Sequence, residues 1–126
     1  MPSTDELTQN HGYSAFYVED GLAPNSTWTV EQPTAILYKP HFFLGITFYA
    51  AGSVVSPTAG TFTIEVETWN NPGVWQAVDS GTDVDATAAL STLSVAGNVK
   101  AVRYTPTSVS GNSVDEVVLR TSANQG

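Results

Sequence analysis

The sequence predicts an all-β protein, an antiparallel β-sandwich of jelly-roll or immunoglobulin-like type with eight or nine short strands. Short runs of alternating apolar and polar residues predict the strands, and turn residues recur between the runs. No run of ten or more residues carries a convincing helical period. The length of 126 residues suits one domain. We expect a flexible, polar N-terminal arm at residues 1–12 and a single sandwich domain at residues 13–126.

The clearest element is a β-hairpin predicted over residues 60–78. Its first strand alternates strictly, which places three apolar side chains on one face: Phe62, Ile64 and Val66. A type II turn is expected next, because Pro72 presets φ at the second position and Gly73 tolerates a positive φ at the third. Trp69 and Trp75 flank this turn and either pair across the strands or cover the end of the core.

The other strands are short or interrupted. In chain order, the candidates are residues 13–19, 27–31, 35–38, 42–50, 86–94, 99–105 and 114–122. The run at 42–50 is the longest apolar one, and we expect a central strand there with its even-numbered residues in the core. Pro106 is expected to end the strand at 99–105, because proline cannot donate to a strand ladder.

The first strand candidate, residues 13–19, carries large apolar groups on both faces. Such a strand is covered on both sides, and a neighbouring subunit is one way to cover the second side. The interface residues that we predict are Tyr13, Phe16, Tyr17 and Val18.

The charge balance excludes several classes of partner. The chain has 12 acidic and 4 basic residues, for a net charge of −8. Nucleic-acid binding needs a clustered positive surface, and anionic membranes repel acidic proteins, so we expect neither partner.

The absence of cysteine excludes disulfides and thiolate chemistry. The N-terminus lacks the pattern of a signal peptide, and Asn25-Ser26-Thr27, although it fits a glycosylation sequon, is expected to be an ordinary turn.

The sequence offers no catalytic constellation, so we expect no enzyme and no cofactor. His11 and His41 have no second histidine at a ligand spacing. Glu65 and Glu67 lie roughly 7 Å apart along one strand face, a spacing that a glycosidase could use. A solvated strand face explains the same two residues, and we prefer that interpretation.

Two further groups are candidates for ligand binding. Asp79, Asp83 and Asp85 form an acidic loop that makes calcium the one metal to test, although no fixed calcium motif is present and a solvated loop is favoured. Aromatic residues could form a platform on which sugars stack, while a place in the core or an interface is the favoured interpretation. The platform candidates are Trp28, Trp69 and Trp75, together with Tyr104.

Three segments follow one another in the second half of the chain. They read GTFTIEVETWNNPGVWQAV (60–78), SVAGNVKAVRYTPTSVSG (94–111) and EVVLRTS (116–122). This order of strand, turn, tryptophan, G-N-V-K-A-V-R strand and short closing strand resembles the small β-sandwich modules of tailed-phage virions. Those modules include head decoration (cement) proteins and tail or fibre accessories.

The resemblance implies a non-enzymatic structural protein, with a capsid decoration protein that clamps neighbouring shell subunits as the first expectation. Its partners would be the major capsid protein or other virion subunits, and it would form a homo-oligomer, a trimer rather than a dimer. It would be made in the host cytoplasm and lie on the outer capsid surface. The alternative is a carbohydrate-binding or receptor-binding module of a phage tail or fibre.

Overall fold

The computed structural model is an all-β fold of two antiparallel sheets. It describes residues 5–10, 14–36, 39, 41–78, 81–88, 93–96 and 98–124. The strands are β1 (Asp5–Asn10), β2 (Ser14–Leu22), β3 (Trp28–Glu31), β4 (His41–Ala50), β5 (Ser53–Val54), β6 (Ala59–Thr68), β7 (Asn71–Ala77), β8 (Val84–Asp85), β9 (Leu93–Ala96), β10 (Val99–Ser110) and β11 (Glu116–Asn124). Within the described ranges, no helix is long and apolar enough to cross a membrane.

The strands form a β-sandwich, as predicted. Sheet A has the order β1-β2-β11-β4-β5, and β9 also pairs with β4. Sheet B has the order β3-β10-β6-β7, and β8 also pairs with β6. Setting aside β5 and β8, which have two residues each, nine strands remain, in line with the predicted number.

The strand pairing is that of a jelly roll. Eight strands remain when β1, β5 and β8 are set aside. In sequence order, the first of these pairs with the last, the second with the second-last, and so on: β2 with β11, β3 with β10, β4 with β9, and β6 with β7. All four pairs are antiparallel, as in one long hairpin that is rolled up. The pairs β11·β4 and β10·β6 then join these strands into two sheets. Of the two sandwich types expected from the sequence, the topology is therefore the jelly roll.

The core lies between the sheets and follows the predicted alternation. On β4 the even-numbered side chains from Phe42 to Phe48 are buried, and on β6 those from Phe62 to Val66 are buried in the same way. On β11 Val117 and Leu119 belong to the core, while Glu116 and Val118 are also buried but lie outside this core cluster. These core residues are Phe42, Leu44, Ile46, Phe48, Phe62, Ile64, Val66, Val117 and Leu119. Tyr104 of β10 is fully buried among them, and its hydroxyl donates a hydrogen bond of 2.6 Å to the carbonyl of Pro24.

The predicted hairpin forms, but its turn lies three residues earlier than expected. Thr68 pairs with Asn71, so the connection is Trp69 and the residue after it. Gly73 has the expected positive φ of 83°, but it lies inside β7 at a register shift, where its N–H donates to Glu67 Oε2 at 2.6 Å. The sequence signal was misread because a bulge uses a positive-φ glycine as readily as a turn does. Trp75 lies opposite Glu67, not opposite Trp69.

Two other predicted strands are wrong or displaced. Residues 35 and 36 of the strand predicted at 35–38 lie instead in a 3-10 turn, Thr34–Ile36, in which the N–H of Ile36 donates to the carbonyl of Pro33 at 2.9 Å. Residues 37 and 38 lie outside the described residues. Residues 86–88 of the strand at 86–94 form a turn instead, and β9 begins only at Leu93. The run at 35–38 is short and apolar throughout, so it has no alternation that would distinguish a strand from a turn. The run at 86–94 consists mainly of small and polar residues, which also leave the choice open.

β10 continues through Pro106 to Ser110, contrary to the predicted stop. The strand β3 ends opposite Tyr104, so beyond that point β10 has a neighbour only on the β6 side, where Pro106 pairs with Phe62. Proline is tolerated at such a one-sided position.

Part of the predicted flexible arm is a strand. Residues 5–10 form β1, which pairs with β2 along its length and makes one edge of sheet A. An edge strand needs only to pair its backbone donors and acceptors with one neighbour, so polar residues suffice. Such a strand has no apolar alternation from which it could be predicted. The rest of the predicted arm lies outside the described residues.

The Asn25 side chain fixes the loop between β2 and β3 to β10, in addition to the hydrogen bond from Tyr104 to Pro24. The Asn25 amide donates to the carbonyl of Val109 at 2.6 Å, and the N–H of Val109 donates to Asn25 Oδ1 at 2.8 Å. The pairing of β10 with β6 shifts register between Thr107 and Ser110 and gives Val109 no strand partner, so Asn25 satisfies the backbone of this fully buried residue. The sequon residue is therefore a structural clamp in the turn that the sequence predicted.

Replacing Asn25 by alanine should lower the free energy of unfolding by about 2 kcal/mol, because both backbone groups of Val109 lose their partner. Urea denaturation followed by tryptophan fluorescence measures this as a lower midpoint at unchanged slope. The matched control is Thr27→Ala, which removes the sequon but keeps the clamp and should change stability by less than about 0.5 kcal/mol. Equal losses in the two variants would contradict the assigned role.

Candidate functional site

The solvent-facing side of sheet A is an amphipathic surface. Ala15, Leu44 and Leu119 point into the core, so their neighbours on β2, β4 and β11 point outward. We call this surface the A face and define it by Phe16, Val18, Phe43, Tyr49, Val118 and Arg120. Phe16 is 48% exposed, an unusual degree for a phenylalanine at the centre of a strand. The A face therefore offers apolar surface around one cation.

Shallow cavities follow one another along the A face. One of about 250 Å³ lies between Phe16, Phe43 and Arg120, over Gly45, which has no side chain to fill it. A second, of about 220 Å³, lies on the other side of Arg120, against Tyr49, Val118 and Glu116. A third, of about 490 Å³, shares Glu116 with the second and continues toward the β4–β5 turn. The first two cavities share Arg120 and the last two share Gly52 and Glu116, so the three lie in a row along β11, and we call this row the groove.

Arg120 is held by residues of the neighbouring strand. Its two terminal nitrogens donate to Thr47 Oγ1 at 3.2 Å and to the Tyr49 hydroxyl at 3.0 Å. The guanidinium carbon lies 6.0 Å from the centre of the Tyr49 ring, within the range of a cation–π contact. Among the side chains that the structure describes, no carboxylate forms an ion pair with Arg120.

The outer side of sheet B has a different character. We call it the B face and define it by Glu65, Glu67, Trp69, Trp75, Lys100 and Arg103. Arg103 donates to Glu65 Oε1 through Nε at 3.0 Å and through a terminal nitrogen at 2.7 Å, and its guanidinium lies 4.4 Å from the Trp75 ring centre. Lys100 lies 3.7 Å from Glu67 and 4.9 Å from the Trp69 ring centre. Each cation on this face is thus shared by one carboxylate and one indole.

These contacts account for the two carboxylates that have the spacing of a glycosidase pair. Glu65 is bound by Arg103, while Glu67 faces Lys100 and also accepts a hydrogen bond from the N–H of Gly73. Both side chains are partly exposed. They lie in a charge-paired row on a solvated strand face, which is the preferred interpretation from the sequence.

The aromatic platform candidates divide between the two sides of sheet B. Trp69 is 48% exposed, and it lies with Trp75 on the outer side. Trp28 instead packs against the core and stacks on Tyr104, with ring centres 4.6 Å apart and planes inclined by 8°. A platform on this chain would therefore consist of Trp69 and Trp75 without Trp28.

The predicted interface residues also divide. Phe16 and Val18 lie on the A face as defined above. Tyr17 faces the other way, packs against the core, and donates its hydroxyl to Glu19 Oε1 at 2.8 Å. Tyr13 lies outside the described residues.

The calcium candidate is described only in part, because Asp79 lies outside the described residues. Asp85 ends β8, and its Oδ1 accepts hydrogen bonds from the N–H of Thr87 at 2.9 Å and from the Thr87 hydroxyl at 2.8 Å. These bonds, the backbone one first, lower the pKa of Asp85 below its usual value. In the part of the chain that the structure describes, no group of three His, Cys, Asp or Glu residues is placed to hold a metal ion.

Sequence reasoning missed the centre of the A face. Tyr49 and Arg120 lie 71 residues apart in the chain, and the pairing of β4 with β11 brings them together. The alternation had placed Val118 and Arg120 on the face opposite Val117 and Leu119, which the structure bears out. The one missing piece was which strands are neighbours, and local pattern does not carry that information.

Comparison with known proteins gives one match. A family described as a domain of unknown function (DUF7265) matches residues 25–124. No curated protein and no solved structure matches the chain. The matched range contains β3 to β11 and both outer faces except for the contribution of β2.

Tyr104 should be recognisable in solution by its titration. Burial raises the pKa of Tyr104 well above its usual value, so the folded state keeps it protonated where an exposed tyrosine ionises, near pH 10. This contribution to stability is fully present below about pH 10 and is lost as the pH rises further, because the unfolded chain releases the proton first. Absorbance at 295 nm should show one tyrosine that ionises only when the protein unfolds.

Tyr104→Phe should remove that late step and lower stability by about 1 kcal/mol through loss of the hydrogen bond to Pro24. Tyr49→Phe is the control, and it should leave the late step in place. A late step that persists in the Tyr104 variant would show that another tyrosine produces it.

Proposed function

We propose that this chain, which belongs to the DUF7265 family, is a non-enzymatic structural protein of a tailed-phage virion: a capsid decoration protein that clamps neighbouring shell subunits. The resemblance of residues 60–122 to virion modules motivates the proposal. The jelly-roll topology supports it, because this fold recurs in viral capsid domains, although lectin domains use it too.

The observation that carries the proposal is the A face. It exposes Phe16 on the flat side of a sheet and surrounds it with further apolar groups and a groove. Contiguous apolar surface on a soluble protein marks a site of interaction, because water solvates it poorly. Another protein that covered this face would bury Phe16 and Phe43 at the centre of the contact, where binding energy concentrates.

The mechanism follows from linkage. A protein that binds only the assembled shell, by contacting two neighbouring subunits at once, stabilises that shell by the free energy of its binding. Symmetric oligomers do this most effectively, since several copies engage several subunits around one axis. We therefore propose a homo-oligomer, a trimer rather than a dimer, on the outer capsid surface.

The solution mass measured by light scattering tests the proposal. The full chain should give a multiple of its 13.3 kDa mass, threefold for the trimer, and deletion of residues 1–12 should weaken assembly by removing β1. Heads assembled without the chain should bind it in cosedimentation and should melt at a higher temperature once it is bound. A chain that is monomeric and does not bind heads would refute the proposal.

A matched pair of substitutions locates the contact. Phe16→Ser should weaken self-association or head binding at least tenfold, because the side chain is buried in the complex. Val74→Ser makes a similar change at a residue of similar exposure, 51% against 48%, on sheet B and should have little effect. An equal effect of both would mean that general surface polarity is responsible and not the A face.

A receptor-binding or carbohydrate-binding module of a tail or fibre is the second candidate, and the B face favours it. Trp69 is half exposed beside carboxylates and cations, a combination that allows a sugar ring to stack while its hydroxyls form hydrogen bonds. A glycan that binds there should change tryptophan fluorescence, and Trp69→Ala should abolish the change. Phe16→Ser should leave glycan binding intact, which separates the two candidates.

A further inference from the structure

We infer that Arg120 anchors a carboxylate on an extended peptide segment of the protein that covers the A face. The inference rests on the proposed function in one respect: the occupant is a protein. It adds the chemistry by which that occupant is recognised. The occupant presents an acidic side chain and an apolar side chain two residues apart, in either order.

The charge distribution is the first argument. With 12 acidic residues against 4 basic ones, carboxylates to neutralise a cation are abundant. Lys100 and Arg103 each have one on the B face, at 3.7 and 2.7 Å. Arg120 has none among the described side chains, although it is exposed. The free charge of Arg120 complements an acidic group brought by a partner.

The guanidinium is also held in place for such a group. A guanidinium has five N–H donors in a fixed fork. Thr47 and Tyr49 accept one hydrogen bond each, which leaves three donors and fixes the plane of the group. Because the orientation is already fixed, a carboxylate can form a forked pair without ordering a flexible side chain.

Two acidic side chains, Asp20 and Glu116, line the same cavity as Arg120, and neither forms an ion pair with it. Glu116 is 7% exposed, and its Oε2 accepts the N–H of Gly21 at 2.7 Å. Its presence gives the groove a polarity: apolar at the Phe16 end, cationic in the middle, and acidic at the far end. A second carboxylate on the ligand, if it lay near Glu116, would therefore weaken binding by charge repulsion.

The shape of the groove indicates a peptide. From Glu116 to Ser122 the groove follows seven residues of β11, which are six steps of strand rise or roughly 20 Å, the length of about six extended residues. Phe16 lies in register with Ser122, two residues along β11 from Arg120, or roughly 7 Å. Residues i and i+2 of an extended peptide are the same distance apart, so one apolar and one acidic side chain reach both places.

Titration of the full-length, ¹⁵N-labelled chain with two peptides tests the inference. The probes are Ac-Ser-Leu-Thr-Glu-Ser-Thr-NH2 and the same peptide with glutamine in place of glutamate. The glutamate peptide should shift amide signals of β4 and β11 around Arg120 and should bind at least about tenfold more tightly than the glutamine peptide, because a charge-assisted forked pair is lost. High salt should reduce the difference.

Arg120→Gln should abolish the preference for glutamate, and Arg120→Lys should retain only part of it because the charge remains but the fork does not. Lys100→Gln makes the same change of charge on the B face and should leave the preference intact. The amide spectrum of each variant reports directly whether the fold is preserved.

Equal binding of both peptides, a preference that survives Arg120→Gln, or no shift on the A face at millimolar peptide would each overturn the inference. So would binding of N-acetylneuraminic acid at Arg120 without peptide binding, since the carboxylate would then come from a sugar. If heads bind wild type and Arg120→Gln alike, the anchor fails and the virion role stands. If the peptide binds through Arg120 but the chain is monomeric and does not bind heads, the virion role fails and the carboxylate anchor stands.

Discussion

The burial of apolar side chains between the two sheets imposes strict alternation on the central strands. On β4 and β6 every second residue enters the core and the residues between them face outward, and on β11 Val117 and Leu119 enter the core while Arg120 faces solvent. A slip of one residue in the pairing of β4 with β11 would turn Arg120 inward and Leu119 outward. Desolvating the guanidinium would then cost several kcal/mol. The register that builds the core therefore also builds the two outer faces.

The two outer faces use the few cations of the chain in opposite ways. On the B face each cation lies between a carboxylate and an indole, so its charge is neutralised within the chain. On the A face Arg120 bonds only to neutral oxygens of β4 among the described groups. The cations of the B face have all their charge partners within the chain. Arg120 on the A face is surrounded by apolar surface and keeps hydrogen-bond donors that no described group uses. This asymmetry is the physical reason for assigning partner binding to sheet A.

Much of the fold could be predicted from local pattern, because alternation and turn chemistry are local properties. The strands β4, β6 and β11 and their core residues follow directly from it. The turn near Pro72 was misplaced because a positive φ at Gly73 serves a bulge as well as a turn. β1 was missed because an edge strand of polar residues has no apolar pattern. The centre of the A face was missed because Thr47 and Arg120 are 73 residues apart, and only the order of strands in the sheet makes them neighbours.

The place of β11 has a consequence for how the chain folds. This strand is the last in the sequence, yet it lies inside sheet A between β2 and β4. Until β11 has been synthesised, β2 and β4 lack the strand that joins them. Their unpaired edges are then open to other chains, which is the usual route to aggregation. Sheet A closes only once β11 is present and does so through contacts distant in sequence, so we expect folding to be slow for a domain of this size.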